Sequence, residues 1–133
     1  MERDEETGAA QAFQRYAEAF KTLDPRSVVR HVHEPALMVS PQGVKVLDSA
    51  AAVEEAYRPV MAGLQARGYA RTEFSPPIER RLGEDLSILT CTGTWRSTLG
   101  QDLGRFGMTF TMRRTAGAWR IVVLAYHPPD ARG

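Results

Sequence analysis

Few residues of this chain have the chemistry to donate, accept or shuttle a proton in an interior site. Tyr16 and Tyr57 lie in stretches with the apolar spacing of helices, on the faces expected to point inward. A buried phenol can donate a hydrogen bond to a ligand carbonyl, or it can be satisfied within the core. His31 titrates near neutral pH and could act as acid or base beside Tyr16. Tyr16 and His31 are therefore the candidate catalytic residues, as proton donor and acceptor.

The histidines do not predict a metal site, and no cofactor is predicted. His31 and His33 are two positions apart in a stretch predicted as helix, where such residues diverge by roughly 200° and cannot share an ion. Ligands on one helix face need a spacing of three or four. The single cysteine, Cys91, excludes an internal disulfide and has no base near it in sequence.

Inward carboxylates are scarce as well. The acids fall at helix caps, on outward helix faces or in turns, and Glu73 alone has a position that could face inward. A hydrolytic or isomerising site usually needs an inward carboxylate whose pKa is tuned by burial. This scarcity weighs against an enzyme.

Length, composition and charge indicate one ordinary domain. The chain has 133 residues, 43% of them hydrophobic, and we expect tails at 1–8 and 128–133. Its 17 Lys and Arg against 16 Asp and Glu create no overall field for nucleic acid or an anionic membrane. No apolar run approaches a span of about 20 residues, and the acidic start has no signal core. We therefore expect a cytoplasmic protein with neither nucleic acid nor membrane as partner.

The elements that must position these side chains follow the order helix, helix, hairpin, helix, strands. Asp24 and Pro25 begin the second helix, Pro35 is expected to end it, and Pro59 is expected to kink or split the third. Runs of helices followed by strands predict an α+β fold with the helices on one sheet face. The predicted helices are 9–22, 24–34 and a third that begins at a cap, either Asp48 or Ser49, and ends before Gly68. The predicted strands are 36–39, 44–47, 69–74, 78–82, 86–96, 105–114 and 119–127.

The last three strands form a meander whose final strand is apolar on both faces. Strict alternation places Ile121 and Val123 on one face, and Val122, Leu124 and Tyr126 on the other. A strand that is apolar on both sides needs cover on both sides. We expect the helices to cover the inner face and a second copy of the chain to cover the outer face, which predicts a homodimer.

Residues 9–127 resemble the nuclear transport factor 2-like (SnoaL-like) superfamily. The resemblance lies in the order of elements, the helix with Phe13, Tyr16 and Phe20, the Asp24-Pro25 start, the hairpin around 40–46 and the ending Gly-Ala-Trp-Arg-Ile-Val-Val-Leu. The segments that start at 34 and 105 resemble an uncharacterised bacterial branch. The resemblance implies a cystatin-like cone, in which a curved mixed or antiparallel sheet wraps around N-terminal helices and an apolar pocket. It also implies frequent dimerisation through the outer sheet face, and no single activity.

The superfamily includes ketosteroid isomerase, scytalone dehydratase and limonene epoxide hydrolase. The run Gln-Arg-Tyr that ends at Tyr16 is similar to the isomerase pattern. However, Ser40 stands where that pattern has its aspartate base, and 107–110 contain no acid where it has its second one. A hydroxyl cannot replace the base as a proton shuttle near neutral pH. We therefore reject that chemistry.

The leading hypothesis is a homodimeric cone that binds a small, largely apolar metabolite, with catalysis undecided. A lyase or isomerase acting on a polyketide-like or steroid-like substrate is one alternative, and it needs Tyr16 and His31 to reach one cavity. A non-catalytic interaction module that uses its outer sheet face is the other. The predicted ligand-binding residues are Tyr16, Met38, Ser40, Tyr57, Met61, Trp95, Met108 and Phe110.

Overall fold

The computed structural model describes residues 8–129, so most of the two predicted tails lies outside the described residues. The predicted α+β architecture is confirmed. In the described range, no helix is both long enough and apolar enough to cross a membrane. The elements are α1 (Ala9–Phe20), a 3₁₀ helix (Pro25–His31), β1 (Val32–Ser40), β2 (Gly43–Leu47), α2 (Ala50–Ala66), β3 (Tyr69–Phe74), β4 (Ile78–Arg81), β5 (Leu86–Ser97), β6 (Asp102–Thr115) and β7 (Ala118–His127).

All seven strands belong to one mixed, curved sheet. Its order is β2-β1-β7-β6-β5-β3, and β4 also pairs with β5. The predicted meander β5–β6–β7 and the hairpin β1–β2 are antiparallel, whereas β1 runs parallel to β7. In the tight turn between β6 and β7, Ala116 and Gly117 both adopt positive φ, at 51° and 77°. Turns of this kind match the twist of the strands they join.

The second helical segment is shorter than predicted. It begins as expected, because the Asp24 carboxylate accepts a hydrogen bond from the backbone N–H of Arg26 and Pro25 occupies the first turn. It ends at His31, so His33 and Pro35 lie in β1. Proline lacks the N–H that a regular ladder requires, and the pairing of β1 with β7 shifts register between Val32 and Leu37. That irregularity accommodates Pro35 within the strand.

The third helix is one continuous element, and the expectation that Pro59 could split it is wrong. The hydroxyl of Ser49 caps α2 by accepting a hydrogen bond from Ala52 N–H at 3.1 Å. Pro59 removes the N–H that would bond to the carbonyl of Glu55. Both residues are exposed, so water can bond that carbonyl in place of the missing N–H.

Strand β7 contains a β-bulge, so its residues do not alternate strictly between the two faces of the sheet as predicted. Met112 pairs with Ile121 and the preceding residue, Thr111, pairs with Val123, so Val122 is an extra residue in β7. After the extra residue, the side chains of β7 point to the opposite face from the one that strict alternation gives. Ile121 and Leu124 are therefore both fully buried on the inner face. Strict alternation places these two residues on opposite faces. The inner face of the sheet then packs against α1 and α2 in one apolar core.

Candidate functional site

The inner face of the sheet and the two α-helices line a partly open apolar cavity of about 200 Å³. This volume is below the roughly 300–1,000 Å³ of typical ligand pockets, so it suits a small ligand. The helices contribute one wall, and strands β1, β3, β5, β6 and β7 contribute the rest. The lining residues are Tyr16, Ala17, Phe20, Met38, Tyr57, Val60, Thr72, Phe74, Trp95, Phe106, Met108 and Tyr126.

Three of the lining residues are tyrosines whose hydroxyls contact one another. The Tyr16 hydroxyl lies 2.6 Å from the Tyr57 hydroxyl and 3.3 Å from the Tyr126 hydroxyl. Helix α1 supplies Tyr16, α2 supplies Tyr57 and β7 supplies Tyr126. The Tyr57 and Tyr126 hydroxyls also interact, and each phenol has one hydroxyl hydrogen. A ligand oxygen can therefore accept a hydrogen bond from this cluster when it replaces one of these contacts, of which the 3.3 Å contact is the longer of the two measured.

Burial keeps this tyrosine cluster, Tyr16, Tyr57 and Tyr126, in its neutral form. Burial is the main cause that raises the pKa of each phenol, and it raises those of Tyr16 and Tyr57 well above the ordinary value. Hydrogen bonds from its two neighbours partly offset the rise in the pKa of Tyr126. Near pH 7 the cluster is a set of hydrogen-bond donors and not a base.

These pKa shifts predict that the protein loses stability in alkaline solution. Above about pH 10 the unfolded chain releases phenol protons that the folded chain retains, so the free energy of unfolding falls as pH rises, by up to about 1.4 kcal/mol per pH unit for each such phenol. Tyr57→Phe removes one of them. In urea titrations between about pH 9 and 11, we therefore expect the free energy of unfolding of this variant to fall less steeply with pH than that of the wild type. The difference should equal the contribution of one phenol. Parallel decreases would contradict the assignment.

Five of the eight predicted ligand-binding residues line the cavity: Tyr16, Met38, Tyr57, Trp95 and Met108. The other three do not. Ser40 ends β1, where its hydroxyl accepts a hydrogen bond from Gln42 N–H. Phe110 and Met61 are buried in the core; the ring of Phe110 packs behind Tyr16 and Tyr126, with ring centroids 5.7 Å from each.

The predicted pairing of Tyr16 and His31 in one cavity is wrong. His31 closes the 3₁₀ helix and does not line the cavity. Partial burial lowers the pKa of His31, and the charges of Arg30, Arg15 and Arg120 lower it further. The imidazole therefore lies in a basic environment away from the tyrosine cluster.

Within residues 8–129, no carboxylate or imidazole lines the cavity. Glu73, the one acid with a potential inward position, is exposed and bonds to Arg71 and Arg96 at 2.8 and 3.1 Å, and these hydrogen bonds lower its pKa. Burial raises the pKa of Cys91 to about 11, so its thiol is protonated near pH 7. Among the described residues, no group of three or more His, Cys, Asp or Glu side chains is placed to hold a metal ion.

The sequence analysis missed seven lining residues. Phe20 continues the α1 stripe and Val60 continues the α2 stripe, so helical spacing could have identified both. Tyr126 could not be assigned to the cavity from sequence, because no residue type in β7 signals the bulge at Val122 that sets its direction. The full set is Ala17, Phe20, Val60, Thr72, Phe74, Phe106 and Tyr126.

Comparisons with known proteins place this geometry in a family. A family model described as NTF2-like protein (DUF6841) matches residues 4–129. A comparison with curated proteins finds no match.

Solved structures share the fold at low sequence identity. An NTF2-like protein with a cystatin-like fold from Novosphingobium aromaticivorans is 20% identical, with a TM-score of 0.73 over 92% of this chain and 80% of that one. Aln2 from a Streptomyces species is 17% identical, with a TM-score of 0.74 over 91% and 88%. A ketosteroid isomerase-like protein from Erwinia carotovora atroseptica is 16% identical, with a TM-score of 0.70 over 94% and 97%. The cystatin-like cone implied by the resemblance is thereby confirmed.

Proposed function

This chain belongs to the NTF2-like family DUF6841, and we propose that it binds a small, largely apolar metabolite carrying one hydrogen-bond acceptor oxygen. The observation that carries the proposal is the tyrosine cluster at the wall of an otherwise apolar cavity. Apolar walls give affinity by burying ligand surface, and a few placed polar groups fix the orientation of the ligand. A neutral phenol donor suits a carbonyl, ether or hydroxyl oxygen.

Binding without turnover is favoured over catalysis. The lyase or isomerase alternative, on a polyketide-like or steroid-like substrate, requires a group that accepts a proton near neutral pH. The lining offers phenols whose pKa values are raised and a threonine hydroxyl, and neither accepts a proton readily. A cluster of donors without a base supports recognition of an oxygen atom more than abstraction of a proton.

The test uses two ligands that differ only in their oxygen, 2-naphthol and naphthalene, titrated by fluorescence or calorimetry. Tyr16→Phe removes the hydroxyl that contacts both of its neighbours. We expect this variant to bind 2-naphthol about tenfold more weakly, because a lost hydrogen bond costs roughly 0.5–1.5 kcal/mol and an unpaired partner costs more. Naphthalene should bind equally well to the variant and the wild type.

Thr90→Val is the matched control. It removes a hydroxyl that contacts the Thr109 hydroxyl at 3.3 Å, and neither residue lines the cavity, so 2-naphthol affinity should stay within about twofold of the wild type. The proposal is wrong if neither ligand binds the wild type at millimolar concentration. It is also wrong if Tyr16→Phe weakens both ligands equally.

We further propose that the protein forms a homodimer through the outer face of its sheet. Val44 and Val46 are each 61% exposed on the edge strand β2, and Leu37 beside them is 39% exposed. Leu37 pairs with Val46 on one side and with Val123 on the other. Their side chains share the outer face of three neighbouring strands, and such an apolar patch is typical of interfaces.

Sedimentation velocity tests the dimer. We expect the wild type to sediment as a dimer at micromolar concentration, and Val46→Lys to sediment as a monomer with an unchanged circular dichroism spectrum. A monomeric wild type would favour the other alternative, an interaction module that offers this face to a different protein. The expected cytoplasmic location remains part of the proposal, supported by a single cysteine that is free and buried.

A further inference from the structure

Two aromatic rings of the cavity lie flat across glycines on the neighbouring strand. Gly93 of β5 pairs with Phe106 of β6, and Trp95 of β5 pairs with Gly104 of β6. A Cβ built on Gly93 would lie 2.5 Å from the tip of the Phe106 ring, and one built on Gly104 would lie 3.2 Å from the Trp95 ring. Each ring therefore occupies the space that a side chain on the opposite strand would fill.

The two glycine–aromatic pairs combine into one surface. The centroids of the Trp95 and Phe106 rings are 4.8 Å apart, and the ring planes are tilted by 39°. Both rings line the cavity. Because they lie against the sheet, the cavity is bounded here by ring faces, and the volume in front of them stays open.

From this geometry we propose that Gly93 and Gly104 set the shape of the ligand, which is a planar ring system that stacks on Trp95 and Phe106. This inference rests on the proposed small-molecule binding and adds the class of ligand. Stacked aromatic pairs gain affinity beyond the burial of their area. A globular ligand of equal size contacts the same wall without this stacking, so the wall selects flat molecules over compact ones.

The test compares 2-naphthol with 1-adamantanol, which has the same number of carbons and one hydroxyl but a globular shape. We expect the wild type to prefer 2-naphthol by about tenfold in calorimetric titrations, as face-to-face stacking on one ring with contact to the other predicts. Gly93→Ala should abolish this preference, because its Cβ displaces the Phe106 ring into the cavity. Gly93 is chosen over Gly104, whose φ of +155° would strain any side chain.

Gly63→Ala is the matched control, since Gly63 is exposed on α2 and an added Cβ there meets nothing within 4 Å. This variant should keep the wild-type preference. Phe106→Leu is a second variant in case Gly93→Ala does not fold; it removes the ring, keeps the site apolar, and should also abolish the preference.

Equal affinity of the wild type for the two alcohols, or an unchanged preference in the folded Gly93→Ala or Phe106→Leu variant, would overturn the planar-ligand inference and leave the proposed binding function in place. If neither alcohol binds, the binding function fails and this inference fails with it.

Discussion

Replacing Phe110 by alanine is expected to lower the free energy of unfolding by about 3–5 kcal/mol, the usual range for a buried phenylalanine. Phe110 is 1% exposed. Its ring contacts those of Phe13, Tyr16 and Tyr126 edge to face, at centroid distances of 5.9, 5.7 and 5.7 Å. The variant therefore loses both the burial of the ring and several favourable aromatic pairs. Urea unfolding followed by circular dichroism measures the loss.

The same substitution should weaken ligand binding, although Phe110 does not line the cavity. Its ring lies directly behind two members of the tyrosine cluster, so its removal lets both phenols shift from their hydrogen-bonding positions. Leu99→Ala is the control, because Leu99 is 82% exposed in the β5–β6 connection. We expect it to change stability by less than about 0.5 kcal/mol. A loss below about 1 kcal/mol for Phe110→Ala would contradict the close packing described here.

The order of elements could be predicted because each carries its own local signal. The boundaries of β5, β6 and β7 follow from β-forming residues flanked by glycine-containing turns, and Ser49 marks the start of α2 by its capping side chain. Pro35 shows the limit of such signals. Proline disfavours a helix at the residue before it, but it does not say whether the helix ends there or a full turn earlier, at His31.

The cavity could be predicted only in part, because its lining depends on which residues of different elements meet. Met108 and Trp95 follow from alternation along regular strands. Met61 belongs to the same apolar stripe as Tyr57, yet it is buried in the core and does not face the cavity. The extent of a stripe that faces a cavity is set by the neighbouring elements, and one helix cannot reveal it. His31 failed as a candidate for a similar reason, because its position follows from where its helix ends.

Alanine substitutions at Ile121 and Leu124 are each expected to cost about 2–5 kcal/mol of the free energy of unfolding. Both residues are fully buried, although they are three positions apart in one strand. A regular strand sends such residues to opposite faces, so two large losses require the extra residue at Val122. Val123→Ala is the control on the outer face, and it should cost at most about 1 kcal/mol when all variants are measured in the monomeric Val46→Lys background.

The bulge at Val122 matters for the site as well as for the core. Leu124 and Tyr126 are two positions apart in β7, so their side chains point to the same face of the sheet. The alternation that buries Leu124 therefore also turns Tyr126 toward Tyr16. If Leu124→Ala cost no more than Val123→Ala in urea titrations, β7 would not carry the bulge. Tyr126 would then point away from the tyrosine cluster, and the third hydroxyl of the proposed ligand site would be lost. β-bulges are frequent beside active sites, where they redirect a side chain, and this one allows a single strand to serve the core with Ile121 and the cavity with Tyr126.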